Sequence, residues 1–429
     1  MITEVLILVL SFIILLGIGV PVAWSIGISC LLTILASIDS LAAFTTVAQR
    51  MATGLDSFSL LAIPLFILAG QIMNQGGIAN RLIAFAKSLM GALPGGLIYV
   101  NVIAAMLFGA ISGSAVAATS AIGGILGPHM EKENYSKEFG AAINITSSTT
   151  GLVIPPSNIL IVYSLASGGV SIASLFLAGY LPGIIMGLGL MLVAAFWIKK
   201  KKYPAGERTN FRNILATFLE ALPSLLLLVV VIGGIVSGIF TATEASGIAV
   251  LYTLILSFIN KELKISDLHR VFLGSVGTTA IVMLLIATSM SMSWVMSYEN
   301  IPQAVSEVLL GLSDNIIVIL LIINLLLLFV GTFMDMTPAV LIFTPIFLPV
   351  VVELGVDPVH FGIMMVMNLC VGLCTPPVGT VLFVGVGVAK TTIEKIVKPL
   401  LPLYLVMAIV LLLVTFVPEI SLWLPRLFE

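Results

Sequence analysis

Gly151-Leu152-Val153-Ile154-Pro155-Pro156-Ser157-Asn158 and, about 221 residues further on, Gly372-Leu373-Cys374-Thr375-Pro376-Pro377 are the two stretches that decide the fold. Each sets a proline pair inside an apolar run. Proline has no N–H, so Pro155 and Pro156 are expected to deprive the carbonyls of Gly151 and Leu152 of their helical donors, and Pro376 and Pro377 those of Gly372 and Leu373. One proline in a membrane helix is commonly a kink relieved by a neighbouring Ser or Thr. Two pairs in register point instead to helices broken at membrane depth, where free carbonyls can ligate cations beside a solute site.

The register extends outward from the prolines. Phe139-Gly140 precedes the first pair as Phe361-Gly362 precedes the second, Gly109 falls near Gly331, and Pro128 falls on Pro349. The polar tip Ser112-Gly113-Ser114 falls near Asp335-Met336-Thr337, and Gly76-Gly77-Ile78 lies opposite Glu299-Asn300-Ile301. Self-similarity of this kind predicts two copies of one unit. Each copy holds five crossings and one hairpin, and an odd number of crossings inverts the second copy relative to the first. The expected fold class is an all-α polytopic membrane protein of inverted repeats, with about ten transmembrane helices plus two re-entrant hairpins. The first repeat covers 1–198, with a hairpin at about 94–128 and a broken helix at about 139–166. A cytoplasmic basic linker covers 199–214. The second repeat covers 215–429, with a hairpin at about 316–352 and a broken helix at about 358–389.

Composition requires a bilayer. Of 429 residues, 60% are hydrophobic and 9% charged, against about 45–50% and about 25% in soluble domains, and several apolar runs exceed the roughly 20 residues that span hydrocarbon. Met1 to Leu16 carries Glu4 and neither Lys nor Arg, unlike the basic start of a signal peptide, and reads as a retained first span. The net charge of −2 offers no basic field for nucleic acid. Cys30, Cys370 and Cys374 lack zinc spacing and read as packing residues. The positive-inside rule places Lys199 to Lys202, Arg208 and Arg212 in the cytoplasm, with Arg81, Lys87, Lys132, Lys137, Lys261, Lys264, Arg270, Lys390, Lys395 and Lys398 on the same side. Asp39, Asp56, Glu299, Glu307 and Asp314 fall outside. Arg50, also outside, is the one exception.

Small oxygen-bearing side chains crowd both breaks: Thr146 to Thr150, Ser157 and Asn158 at the first, Asn368, Thr375 and Thr380 at the second. With free carbonyls they would form a hard-oxygen shell suited to a small cation such as Na+. Ser157, Asn158 and Thr380 are the candidate solute contacts. Asp335 is the sharpest single residue, because an intramembrane carboxylate is costly and no Lys or Arg occurs between Arg270 and Lys390 to pair with it. Na+ is the expected partner and a proton the alternative. Glu244 and Glu220 read as interfacial, as do His129, His269 and His360. Gly385-Val386-Gly387-Val388-Ala389-Lys390-Thr391 lacks both the glycine before its lysine and the preceding strand of a phosphate loop. No nucleophile–base pair or ATP-driving module is visible, so the chain reads as neither an enzyme nor a pump, and no organic cofactor is expected. Two inverted halves in one chain also argue against a channel built from filter loops around an axis.

The proline breaks, the tip Gly109-Ala110-Ile111-Ser112-Gly113-Ser114 and Ala62-Ile63-Pro64-Leu65-Phe66 together resemble the large membrane (M) subunit of tripartite ATP-independent periplasmic (TRAP) transporters, over essentially the whole chain and most closely the sialic-acid branch. The resemblance implies an elevator-type fold like that of the ion transporter superfamily, working as a Na+-coupled importer in the bacterial inner membrane. It implies a small four-span membrane subunit (Q type), supplied separately, and a periplasmic substrate-binding protein (P type) that delivers an organic acid, with sialic acid the expected solute. Alternatives are a C4-dicarboxylate TRAP subunit and a stand-alone Na+/dicarboxylate symporter. Two or more Na+ ions are implied. The ion roles fall on Ser112, Ser114 and Asp335, and around them on Thr149, Gly151, Asn158, Thr337, Thr375 and Gly379.

Overall fold

The computed structural model describes residues 2–428 apart from Gly76, Lys202, Pro204, Glu207, Arg208, Thr209 and Asp314. The expectations for Lys202, Arg208, Gly76 and Asp314 therefore lie outside the described residues. The first half runs α1 (Ile2–Gly17), α2 (Val22–Ser37), α3 (Ser40–Gly54), a 3-10 turn (Phe58–Leu61), α4 (Ala62–Gln75), α5 (Ile78–Met90), α6 (Gly96–Ser112), α7 (Ala115–Lys132), α8 (Lys137–Thr150), α9 (Asn158–Ala166) and α10 (Ile172–Lys201). The second half runs α11 (Phe211–Val236), α12 (Ala242–Ile259), α13 (Ile265–Tyr298), α14 (Ile301–Leu312), α15 (Ile316–Gly331), α16 (Met336–Glu353), α17 (Pro358–Leu373), α18 (Thr380–Val388), α19 (Ile393–Phe416) and α20 (Glu419–Arg426).

Each element of the second half has a counterpart about 221 residues earlier. The helix α13 answers α3, the 3-10 turn and α4 together, while α19 with α20 answers α10. The contacts exchange partners across the halves. Thus α4 packs on α12 as α13 packs on α2, α9 on α16 as α18 on α7, and α8 on α19 as α17 on α10. One continuous apolar core joins both halves. Arg50, the exception to the sign rule, lies 5.1 Å from the centre of the Trp294 ring, a cation–π placement that binds α3 to α13.

The structure adds detail to the spans and the linker and changes one reading. Seven helices among the described residues are each long and apolar enough to cross a membrane alone, and six further apolar helices of 10–17 residues accompany them. The hairpin arm α15 and the first halves of the broken helices have 14–16 residues, about 24 Å at most against a core of about 30 Å, because the breaks and tips cut them short. Within the stretch expected as a basic linker, 199–214, α10 continues to Lys201 and α11 begins at Phe211. Lysines suit the negative end of α10 and prolong it. Lastly, His360 is buried rather than interfacial: its Nδ1 lies 2.7 Å from Ser421 Oγ and its Nε2 3.2 Å from the Thr415 carbonyl.

Candidate functional site

The two hairpin tips are built differently. In the first, α6 ends at Ser112, Gly113 turns the chain at φ +61°, and Ser114 caps α7 by accepting the Ala117 N–H at 3.2 Å. Glycine adopts that turn at least cost, and a Cβ on Gly113 would also lie 2.9 Å from Asn158 Nδ2. In the second, Thr332–Asp335 joins α15 to α16. Asp335 takes the N-cap position without a side-chain capping bond, and its Oδ1 receives the Thr380 hydroxyl at 3.5 Å. As a residue Asp335 is exposed on the cavity side.

Both breaks carry a cis bond, Pro155–Pro156 and Pro376–Pro377. Hairpin and break approach backbone to backbone in each half. A Cβ on Gly151 would sit 2.5 Å from the Gly109 Cα, and one on Gly372 would sit 2.7 Å from the Gly331 Cα. The Val378 N–H also donates to the Thr332 carbonyl at 3.1 Å. A matching polar contact lies deeper. Ser147 Oγ donates to Asn101 Oδ1 at 3.3 Å in the first half, and Asn368 Nδ2 donates to Asn324 Oδ1 at 2.8 Å in the second.

Tips and breaks converge on one cavity of about 520 Å³. Four helices present their N-termini to it: α7 at Ser114, α9 at Asn158, α16 at Asp335 and α18 at Thr380. The unpaired N–H groups and positive dipole ends of those first turns favour an anion. The C-terminal ends of α6 and α17 reach it too, at Ser112 and Leu373, offering carbonyl oxygens to a cation. Asp335 is the one charged residue among those lining it, and α4 and α13 close the opposite wall with Gln71, Asn74 and Thr278.

Of the residues singled out from sequence, Ser112, Ser114, Asn158, Asp335, Thr337 and Thr380 line this cavity, and Ser157, Thr149, Gly151, Thr375 and Gly379 are not among its lining residues. Ser157 is buried and donates to the Leu152 carbonyl at 2.5 Å. Thr149 Oγ1 donates to the Thr146 carbonyl at 2.9 Å, and Thr375 Oγ1 to the Val371 carbonyl at 2.7 Å. Each hydroxyl from Thr146 to Thr150 likewise turns back onto a carbonyl three or four residues earlier, as hydroxyls inside helices do. Gly379 caps α18, where a Cβ would meet the carbonyls of Leu373 and Thr375 at 2.8 Å. The four carbonyls expected to be free divide into two pairs. Leu152 accepts the Ser157 hydroxyl and Gly372 accepts the Thr375 N–H at 2.9 Å, whereas Gly151 and Leu373 accept no hydrogen bond among the described residues. Glu244 is accounted for by local structure, forming a capping box with Thr241 at the start of α12. Sequence reasoning missed Gln71, Asn74, Ser120 and Thr278. The spacing of Gln71 and Asn74, one turn apart on the apolar helix α4, was the available signal.

Comparison with known proteins gives the family and the fold. Residues 9–420 match the family described as "Tripartite ATP-independent periplasmic transporter, DctM component". The chain is similar to YgiK of Salmonella typhimurium, at 56% identity over 97% of this chain and 96% of that one. It is similar to the isethionate TRAP transporter permease protein DctMQ of Oleidesulfovibrio alaskensis, at 42% identity over 96% of this chain and 65% of that one. Relatives at 38–40% identity are named as large permeases for C4-dicarboxylates, 2,3-diketo-L-gulonate and sialic acid. In fold it is similar to the YdaH transporter of Alcanivorax borkumensis, with a TM-score of 0.68, 12% identity, and coverage of 90% of this chain and 89% of that one.

Proposed function

The chain belongs to the DctM component family of TRAP transporters, and from that premise we propose that it is the Na+-coupled large permease subunit of a bacterial inner-membrane importer for a hydroxylated organic monoacid of the sialic-acid kind. The convergence of four helix N-termini on a cavity whose one charged lining residue is Asp335 carries the reading. The positive helix ends receive one solute carboxylate, and Na+ beside Asp335 compensates the remaining negative charge. Gln71, Asn74, Ser120 and Asn158 supply neutral donors and acceptors for solute hydroxyls. A C4-dicarboxylate would bring two charges to a lining without Lys or Arg, which makes it the second choice.

Na+ is assigned to the two tips. Ser112, Ser114, Thr149, Gly151 and Asn158 serve the first site, and Asp335, Thr337, Thr375 and Gly379 the second. The unbonded Gly151 and Leu373 carbonyls, one at each break, support the pairing. Transport then carries the hairpins and breaks as one body past α4 and α13, with solute delivered by a periplasmic binding protein and a small membrane subunit completing the complex. Reconstitution into liposomes tests this. Uptake of N-acetylneuraminate should require an inward Na+ gradient, the small subunit and the loaded binding protein. Robust uptake by this chain alone would overturn the tripartite reading, and uptake indifferent to Na+ would overturn the coupling.

A further inference from the structure

A second cavity, of about 290 Å³, lies among α6, α7, α8 and α18 and shares no lining residue with the first. It exists because the repeats depart from one another at four places. Where α16 carries Thr344 and Leu348 and α17 carries Met365, the positions 221 residues earlier are Gly123, Gly127 and Asn144. Where the sixth residue of α9 is Tyr163, the sixth of α18 is Gly385. In the second repeat these side chains fill the space. Tyr163 is fully buried, its ring would lie 2.4 Å from a Cβ on Gly362, and its hydroxyl donates to the Pro358 carbonyl at 2.6 Å. Thr344 Oγ1 meets Met365 Sδ at 3.3 Å. In the first repeat Gly123, Gly127, Asn144 and Gly385 line the opening, and a Cβ on Gly127 would meet nothing within 4 Å.

The opening is polar at both ends. At its base Asn144, 3% exposed, donates to the Thr119 carbonyl at 2.8 Å, yet its Oδ1 has no hydrogen-bond partner among the described residues. A buried, unpaired amide oxygen is costly in a protein interior. At the mouth stand Lys137, paired with Glu131 at 3.0 Å, and Lys390, which makes no ion pair among the described residues. The corresponding positions in the other repeat, Pro358 and Gly168, carry no charge.

We propose that this cavity binds a small hydroxycarboxylate, its carboxylate held by Lys390 and Lys137 and a hydroxyl donating to Asn144 Oδ1. It rests on the function proposed above only in taking such a ligand to be solute that has reached the basic side of the protein. The test uses the full chain in zwitterionic nanodiscs in choline medium without Na+, titrated with glycerate and, as a control lacking hydroxyls, propionate. Glycerate should raise the unfolding midpoint saturably in the wild type and equally in Asp335→Ala, which leaves this cavity intact. Propionate should need at least tenfold more. Lys390→Asn, which retains tolerance of the left-handed backbone at φ +49°, should weaken glycerate at least tenfold, and Gly127→Leu should abolish the shift by filling the space. No saturable shift in the wild type, an undiminished shift in Lys390→Asn or Gly127→Leu, or stabilisation by anionic lipid in place of glycerate would each overturn the proposal. Because no arm uses Na+ or measures uptake, its failure is distinct from failure of the transport reading.

Discussion

Asp335 lies at the N-cap of α16 and the mouth of α18 at once, its carboxylate accepting the Met336 N–H and receiving the Thr380 hydroxyl at 3.5 Å. With no cationic side chain among the residues lining the cavity, that carboxylate is available to a cation. Asp335→Ala should reduce Na+-driven uptake by about a hundredfold or more, since losing a few kcal/mol of ion binding costs tenfold per about 1.4 kcal/mol. Ser114→Ala and Thr337→Ala should each raise the Na+ concentration for half-maximal uptake by a smaller factor and lower the Hill coefficient toward one. Na+ titrations with saturating loaded binding protein measure both effects, and a response confined to one tip would reduce the repeat to scaffold symmetry. Asp335 was legible in the sequence because nothing nearby could neutralise it. The Thr146–Thr150 hydroxyls were less legible, since composition does not reveal that a buried hydroxyl satisfies itself on its own helix. His360 was misread for the opposite reason: its partners Ser421 and Thr415 come from far along the chain.

Among the elements, hairpin and broken helix are joined in each repeat by two glycines in backbone contact, Gly109 with Gly151 and Gly331 with Gly372. No flexible side chain lies between them to absorb an added methyl group. Gly372→Ala and Gly151→Ala should therefore lower thermal stability by about 1–3 kcal/mol, the usual cost of overpacking, and reduce uptake through displacement of a tip. Gly124→Ala, where a Cβ meets nothing within 4 Å, is the matched control and should leave both unchanged. Thermal unfolding in nanodiscs and uptake in liposomes check the pair. The proline breaks and both tips were legible to within a few residues, because Pro and Gly act locally. The wall formed by α4 was not, because Gln71 and Asn74 reach the cavity through packing between elements that no local pattern specifies.

At the scale of the molecule, the first cavity lies between the tips and the wall of α4 and α13, and the two sides come close at Gly70, where a Cβ would lie 2.7 Å from the Ser112 carbonyl. Gly70→Val should hold the first tip away from α4 and reduce the rate of uptake severalfold, with a smaller change in the affinity for Na+. The repeat was visible in sequence, but its exchange of partners was not, since it depends on which halves meet in space. That exchange has a consequence for synthesis. When α4, α8 and α9 leave the ribosome, the helices they pack against, α12, α19 and α16, have not yet been made. The first half must wait in the bilayer with those faces covered by lipid or by an insertion chaperone, and its assembly can finish only once translation reaches α19.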